Sequence, residues 1–173
     1  MKKVVALVLS VVMMLSVAAL ADTALRIVAS PNGGISVVQV TVDGQVVENP
    51  TEVAKVDENS QLVQDLAAAI EEVGMNEAFG SVLENPEEYN LASLADFSVE
   101  KADGNLVISL AVAGVKADNE VVVLLGLVAA DQNVTWSNLE VVSVEDGVVS
   151  VAVTPEQAEA VNGNDAVVAV LVK

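Results

Sequence analysis

The sequence predicts a mainly β protein with a small helical part (α+β), whose C-terminal portion is an antiparallel β-sandwich. Three observations carry this. From residue 96 onward, turn signals recur at Asp103-Gly104-Asn105, Lys116-Ala117-Asp118-Asn119, Asp131-Gln132-Asn133, Asp146-Gly147 and Asn162-Gly163-Asn164-Asp165. The stretches between these turns average roughly the 8–12 residues expected of a sandwich or barrel. Leu106, Ile108, Leu110 and Val112 alternate with Val107, Ser109 and Ala111, which assigns the first set to the core face of a strand. Between the β-rich stretches, Leu62, Leu66, Ile70 and Val73, with Val63 beside them, repeat every three or four residues and line one face of a helix.

The first element is an export signal. Met1-Lys2-Lys3 is positive, residues 4–18 are almost wholly apolar, and Ala19-Leu20-Ala21 is a small-residue cleavage signal followed by Asp22. The apolar run is shorter than the roughly 20 residues of a spanning helix and is interrupted by Ser10 and Ser16. Residues 1–21 therefore read as a signal peptide cut after Ala21, with Ala19 and Ala21 as the small cleavage residues. The mature chain is expected to be secreted, either extracellular or at the cell surface, without inserting in a membrane. It divides by pattern into an N-terminal hairpin and helical segment, 22–95, and the sandwich, 96–173.

In order, residues 24–29 and 35–42 read as strands separated by Ser30-Pro31-Asn32-Gly33-Gly34, and Asp43-Gly44 predicts a type I′ hairpin into 45–48. Asn49-Pro50 interrupts the pattern, and Asn59-Ser60 is placed to cap the helix that Gly74 ends. A shorter helix is expected over 76–83 before Asn85-Pro86, with Tyr89, Leu91, Leu94 and Phe97 in a connecting segment. Strands follow at 97–101, 106–112, 120–129, 139–144, 148–153 and 166–172. The nearly unbroken apolar run 121–128 predicts a strand covered on both faces or serving as an interface. Thr154-Pro155-Glu156-Gln157 predicts a short helix with a capping box.

Composition excludes several functions. The chain has 173 residues, 25 Asp plus Glu against 7 Lys plus Arg, and no His or Cys. Loss of Lys2 and Lys3 with the signal leaves 5 basic residues against 25 acidic ones, a net charge of −20. Arg26, Lys55, Lys101, Lys116 and Lys173 are scattered singly, so nucleic acid and anionic membranes are poor partners. Without Cys there is no disulfide framework or thiolate metal site, and without His the commonest general base and metal ligand are missing. No cofactor is implied and no enzyme is expected. Adjacent carboxylates such as Glu71/Glu72 and Glu87/Glu88 point in different directions on a helix and read as solvated surface.

Two ligand readings stay open. Asp131 and Asn133, or Asn164 and Asp165, offer hard oxygens of the kind Ca²⁺ takes, although neither turn has the spaced Asp-x-Asp/Asn-x-Asp/Asn-Gly pattern; the plainer reading is an Asx turn. Trp136, the one tryptophan, reads either as a core plug or a lid on one end of the sandwich, or as a binding anchor; Phe79, Tyr89, Phe97 and Trp136 are the aromatics a glycan site would have to use.

Residues 115–124, Val134-Thr135-Trp136 and residues 144–151, Val144-Glu145-Asp146-Gly147-Val148-Val149-Ser150-Val151, resemble an immunoglobulin-like β-sandwich module of uncharacterised secreted and surface proteins of Gram-positive gut bacteria. The resemblance covers roughly the last 75 residues. The sequence departs from it at Asp131-Gln132-Asn133, where Gly is replaced. It implies a fold and a location, and no activity. The expected function is an exported, non-enzymatic interaction or structural module of the envelope or extracellular space, with an envelope or extracellular protein as partner. The alternative is a module binding Ca²⁺ or glycan.

Overall fold

A computed structural model describes residues 34–100 and 104–173. The signal peptide with Ala19, Ala21 and Asp22, the strand expected at 24–29, and Lys101 lie outside the described residues. The elements are β1 (Ile35–Val42), β2 (Gln45–Val46), α1 (Pro50–Val53), β3 (Ala54–Asp57), α2 (Gln61–Val73), α3 (Met75–Phe79), a 3₁₀ turn (Pro86–Glu88), β4 (Asn90–Val99), β5 (Leu106–Val112), β6 (Val121–Val128), β7 (Val134–Glu145), β8 (Val148–Val153), α4 (Pro155–Asn162) and β9 (Asp165–Val172).

The nine strands among the described residues form one antiparallel sheet in the order β2-β1-β5-β8-β7-β6-β9-β4-β3. The sheet curls because β7 belongs to both halves. Residues 134–139 pair with β6 and residues 140–145 with β8, and a register shift between Val141 and Ser143 makes the corner. The two ends of the sheet approach each other. Gly34, just before β1, lies so close to the Glu58 carboxylate, just after β3, that a Cβ there would sit 2.1 Å from it.

Inside the curl, alternate residues of both halves form one core, including Val40, Phe97, Leu106, Ile108, Leu110, Val123, Leu125, Val151 and Val168. The alternation expected for β5 holds, with Leu106, Ile108, Leu110 and Val112 all inside. Ala158 and Val161 of α4 join this core. A second cluster lies outside, where α2 and α3 set Val63, Ile70 and Phe79 on Leu94, Leu124, Val167, Ala169 and Leu171 of β4, β6 and β9. Strand β9 is thus covered on both faces, and β6 likewise through Val123 and Leu125 within and Leu124 without.

Local chemistry explains the turns. Asp43 and Gly44 both have positive φ, 48° and 82°, as a type I′ hairpin requires, and pair Thr41 with Val46. The Ser60 hydroxyl accepts from the Val63 amide at 3.2 Å, and Gly74, at φ 83°, ends α2. Thr154 and Gln157 form the reciprocal capping box of α4.

Three local expectations are corrected. The connecting segment through Leu91 and Leu94 is the first half of β4, which spans the 95/96 division and pairs with β9. Its alternation is hidden because Leu91 and Leu94 face the helices, whereas Ala92, Ala95 and Phe97 face the core. The second helix stops at Phe79, where Gly80 and Ser81, both poorer helix formers, follow. Val73 remains 46% exposed, since the buried stripe of α2 is centred on Val63 and Ile70.

Candidate functional site

The residues singled out from the sequence sit at one end of the sheet. Val128 of β6 pairs with both Val134 and Asp165, which brings the turn carrying Asp131 and Asn133 beside the strand that starts at Asp165. The polar atoms of Asp131, Asn133 and Asn164 serve the turns. Asp131 Oδ1 accepts from the Asn133 amide at 3.2 Å and Oδ2 from Asn133 Nδ2 at 2.7 Å. These bonds, the side-chain one foremost, hold the Asp131 carboxyl below the ordinary value. Asn164 Nδ2 donates to the Ala160 carbonyl at 2.8 Å, closing the end of α4. Among the described residues, no group of three or more acidic side chains is arranged to hold a metal ion.

Trp136 is half-buried on the outer surface of β7, opposite Gly126. Its ring meets Phe79 of α3 at 5.1 Å between centroids and a tilt of 58°. A Cβ on Gly126 would come within 2.6 Å of Trp136 Cζ3, so glycine at that position admits the ring. The indole fastens the helical layer to the sheet.

Two polar groupings were not foreseen. Asp57 and Asp96 are direct cross-strand partners, and burial pushes the Asp96 carboxyl up, with a hydrogen bond from Ser60 opposing and the charges of Asp165 and Asp57 adding. At the other end, Tyr89 donates to Glu120 Oε1 at 2.7 Å, and Lys173 pairs with Glu88 and lies 5.8 Å from the Tyr89 ring centre. The bond to Glu120 raises the Tyr89 hydroxyl, and the bond to Glu88 raises the Lys173 ammonium. Beside them is a shallow cleft of about 440 Å³ lined by Asn90, Ala92, Ala113, Gly114, Lys116, Asn119, Val172 and Lys173. Registers this far apart in the chain cannot be read from residue spacing.

A further surface is the outer face of the other half-sheet. Register places Val46, Thr41, Val107, Ala152 and Glu140 in one row across β2, β1, β5, β8 and β7. The next row is Gln39, Ser109, Ser150 and Ser143, and the third is Ser36, Ala111, Val148 and Glu145. Ser109 and Ser150 share a hydrogen bond of 2.9 Å. No residue of this face belongs to the cluster beneath α2 and α3. The only charges in the three rows are Glu140 and Glu145, both on β7. Small uncharged residues at alternate positions of 107–111 and 148–152 were the legible signal, but only pairing shows that they join into one surface.

No described helix is long and apolar enough to cross a membrane. Compared with known proteins, the chain matches no family model, no curated protein and no solved structure.

Proposed function

We propose that this chain is an exported, non-enzymatic interaction and structural module of the cell envelope or extracellular space. The observation that carries the reading is the uncharged outer face on β1, β5 and β8, in a sheet whose other outer face packs against helices. A sheet face of this kind is built for contact with another surface. The C-terminal portion is read as an immunoglobulin-like module. In support, β5, β8 and the second half of β7 pair in the order of B, E and D strands, and β6 pairs with β9 as C with F. α4 joins β8 to β9 as an E–F helical turn does.

Fractionation of cells expressing the native protein, with N-terminal sequencing of the product, tests the location. A chain beginning at Asp22 in the medium or envelope fraction is the expected result, and an uncut chain retained in the cytoplasm refutes it. Turnover in a hydrolase panel that a single Asp→Asn or Glu→Gln substitution abolishes would overturn the non-enzymatic reading.

A further inference from the structure

We propose that the cleft between the β5–β6 turn and the adjoining ends of β4 and β9 binds a small organic carboxylate, with its head on Lys116 and Asn119 and its short apolar body on Ala92, Ala113 and Val172. Charge argues for it first. The chain carries 25 acidic residues against 7 basic ones, and among the described residues the cationic side chains are Lys55, Lys116 and Lys173. Two of these three line the cleft, and no acidic side chain lines it. The carboxylates close by are already engaged: Glu88 with Lys173, Glu120 with the Tyr89 hydroxyl, and Asp146 with the Ala117 amide at 2.9 Å. Because Lys173 shares its charge with Glu88, Lys116 is the ammonium that meets the ligand first.

The fold sets the donors around it. Gly114, at φ 81°, turns the chain out of β5 and brings Lys116 to the cleft. Asn119 Oδ1 accepts from the Lys116 amide at 2.8 Å, so the remaining function of that side chain is its Nδ2 donor. An ammonium beside an amide N–H suits a carboxylate, which accepts on two oxygens. Asn90, Ala113, Gly114, Lys116 and Lys173 are exposed, so the cleft is open to solvent, and half-buried Ala92 and Val172 give it an apolar side. Its volume of about 440 Å³ lies within the roughly 300–1,000 Å³ of small-ligand sites. The formal charge of −18 repels any anion at long range, but at about 0.15 M salt that field is screened within about 8 Å, whereas Lys116 acts at contact. One ammonium on an open surface binds weakly, with a Kd on the order of 1 mM.

The carboxylate can belong to a free acid or end a peptide, and titrations of the isotope-labelled protein as isolated from expressing cells, followed by NMR at about 0.15 M salt, separate the two. The probes are butyrate, N-acetyl-alanyl-alanine, whose carboxylate ends a peptide, and butyramide, which has the shape of butyrate without its charge. At least one of the two carboxylates should move the amide signals of Lys116, Asn119 and Ala113, and butyramide should bind about tenfold more weakly or not at all. The tighter carboxylate names the source. Lys116→Ala should weaken binding about tenfold or more without changing Tm, Lys116→Arg should retain it, and Lys55→Ala, outside the cleft, should leave it unchanged. No shift at the cleft with either carboxylate up to about 100 mM overturns the inference, as does butyramide binding as tightly as butyrate, or binding that survives Lys116→Ala.

Discussion

Thr41 bears a hydroxyl that is buried without a hydrogen-bond partner, on a strand position between Val46 and Val107. An unsatisfied buried hydroxyl costs roughly 1–3 kcal/mol, and valine has the same shape without it. Thr41→Val should therefore stabilise the fold by about 1 kcal/mol in urea denaturation. Asp96 gives a pH-dependent test. Its carboxyl is raised by burial and by Asp165 and Asp57, so the ionised form is the destabilised one. Its penalty is absent below the ordinary carboxylate pKa and grows as pH rises through the raised value. Asp96→Asn should raise Tm at pH 7, with the difference closing as the solution is acidified below about 4 in paired melts. At Gly126 the added methyl would meet Trp136 and Val134 at 2.6 and 2.7 Å. Gly126→Ala should cost about 1–3 kcal/mol and change the Trp136 emission spectrum, since the ring must leave Phe79 or the strand must shift.

Capping decides where helices begin, and it depends on a few adjacent residues. Thr154→Ala removes one of the two reciprocal bonds that start α4. The expected loss is about 1 kcal/mol, measured by chemical denaturation. In β9 the determinant is coverage rather than chemistry. Leu171 is fully buried beneath the helical layer, and Val168 and Val170 fill the core from the same strand. Leu171→Ala should cost about 2–5 kcal/mol, a larger loss than any cap, because it empties a site that α2 and α3 cannot collapse to fill. Elements with local determinants were legible in the chain: the Asp43-Gly44 hairpin, Ser60 and Gly74 around α2, and the capping box at Thr154. Strand β4 was not, since its apolar residues divide between two layers and show no single period.

Across the molecule, 25 acidic residues stand against 7 basic ones. Such a surface repels itself in the compact state, and screening relieves the repulsion. Tm should rise between about 0.01 M and about 0.1 M salt, as measured by differential scanning calorimetry at low protein concentration. The curled sheet concentrates what the chain can offer to a partner. One outer surface is closed by α2, α3 and the Trp136–Phe79 contact, while the other is a neutral plane. Asp131, Asn133, Asn164 and Asp165 come to one end of the sheet, where hydrogen bonds of the local turns engage Asp131, Asn133 and Asn164, and Asp165 bears on Asp96.

The amino-acid sequence alone determined the β-rich class, the principal hairpin, the caps of α2 and α4, and the inward face of β5. Each depends on residues a few positions apart, where side-chain alternation and positive φ leave a direct trace. The tertiary structure decided that the N-terminal and C-terminal strands share one sheet, that β7 turns the corner between its halves, and that α2 and α3 cover only one of its outer faces. It also decided that Ser109 and Ser150, 41 positions apart, lie side by side on the outer side of the half-sheet that α2 and α3 do not cover. Strand pairing over such separations is set by the packing of the whole core, and no local pattern encodes which neutral residues become neighbours.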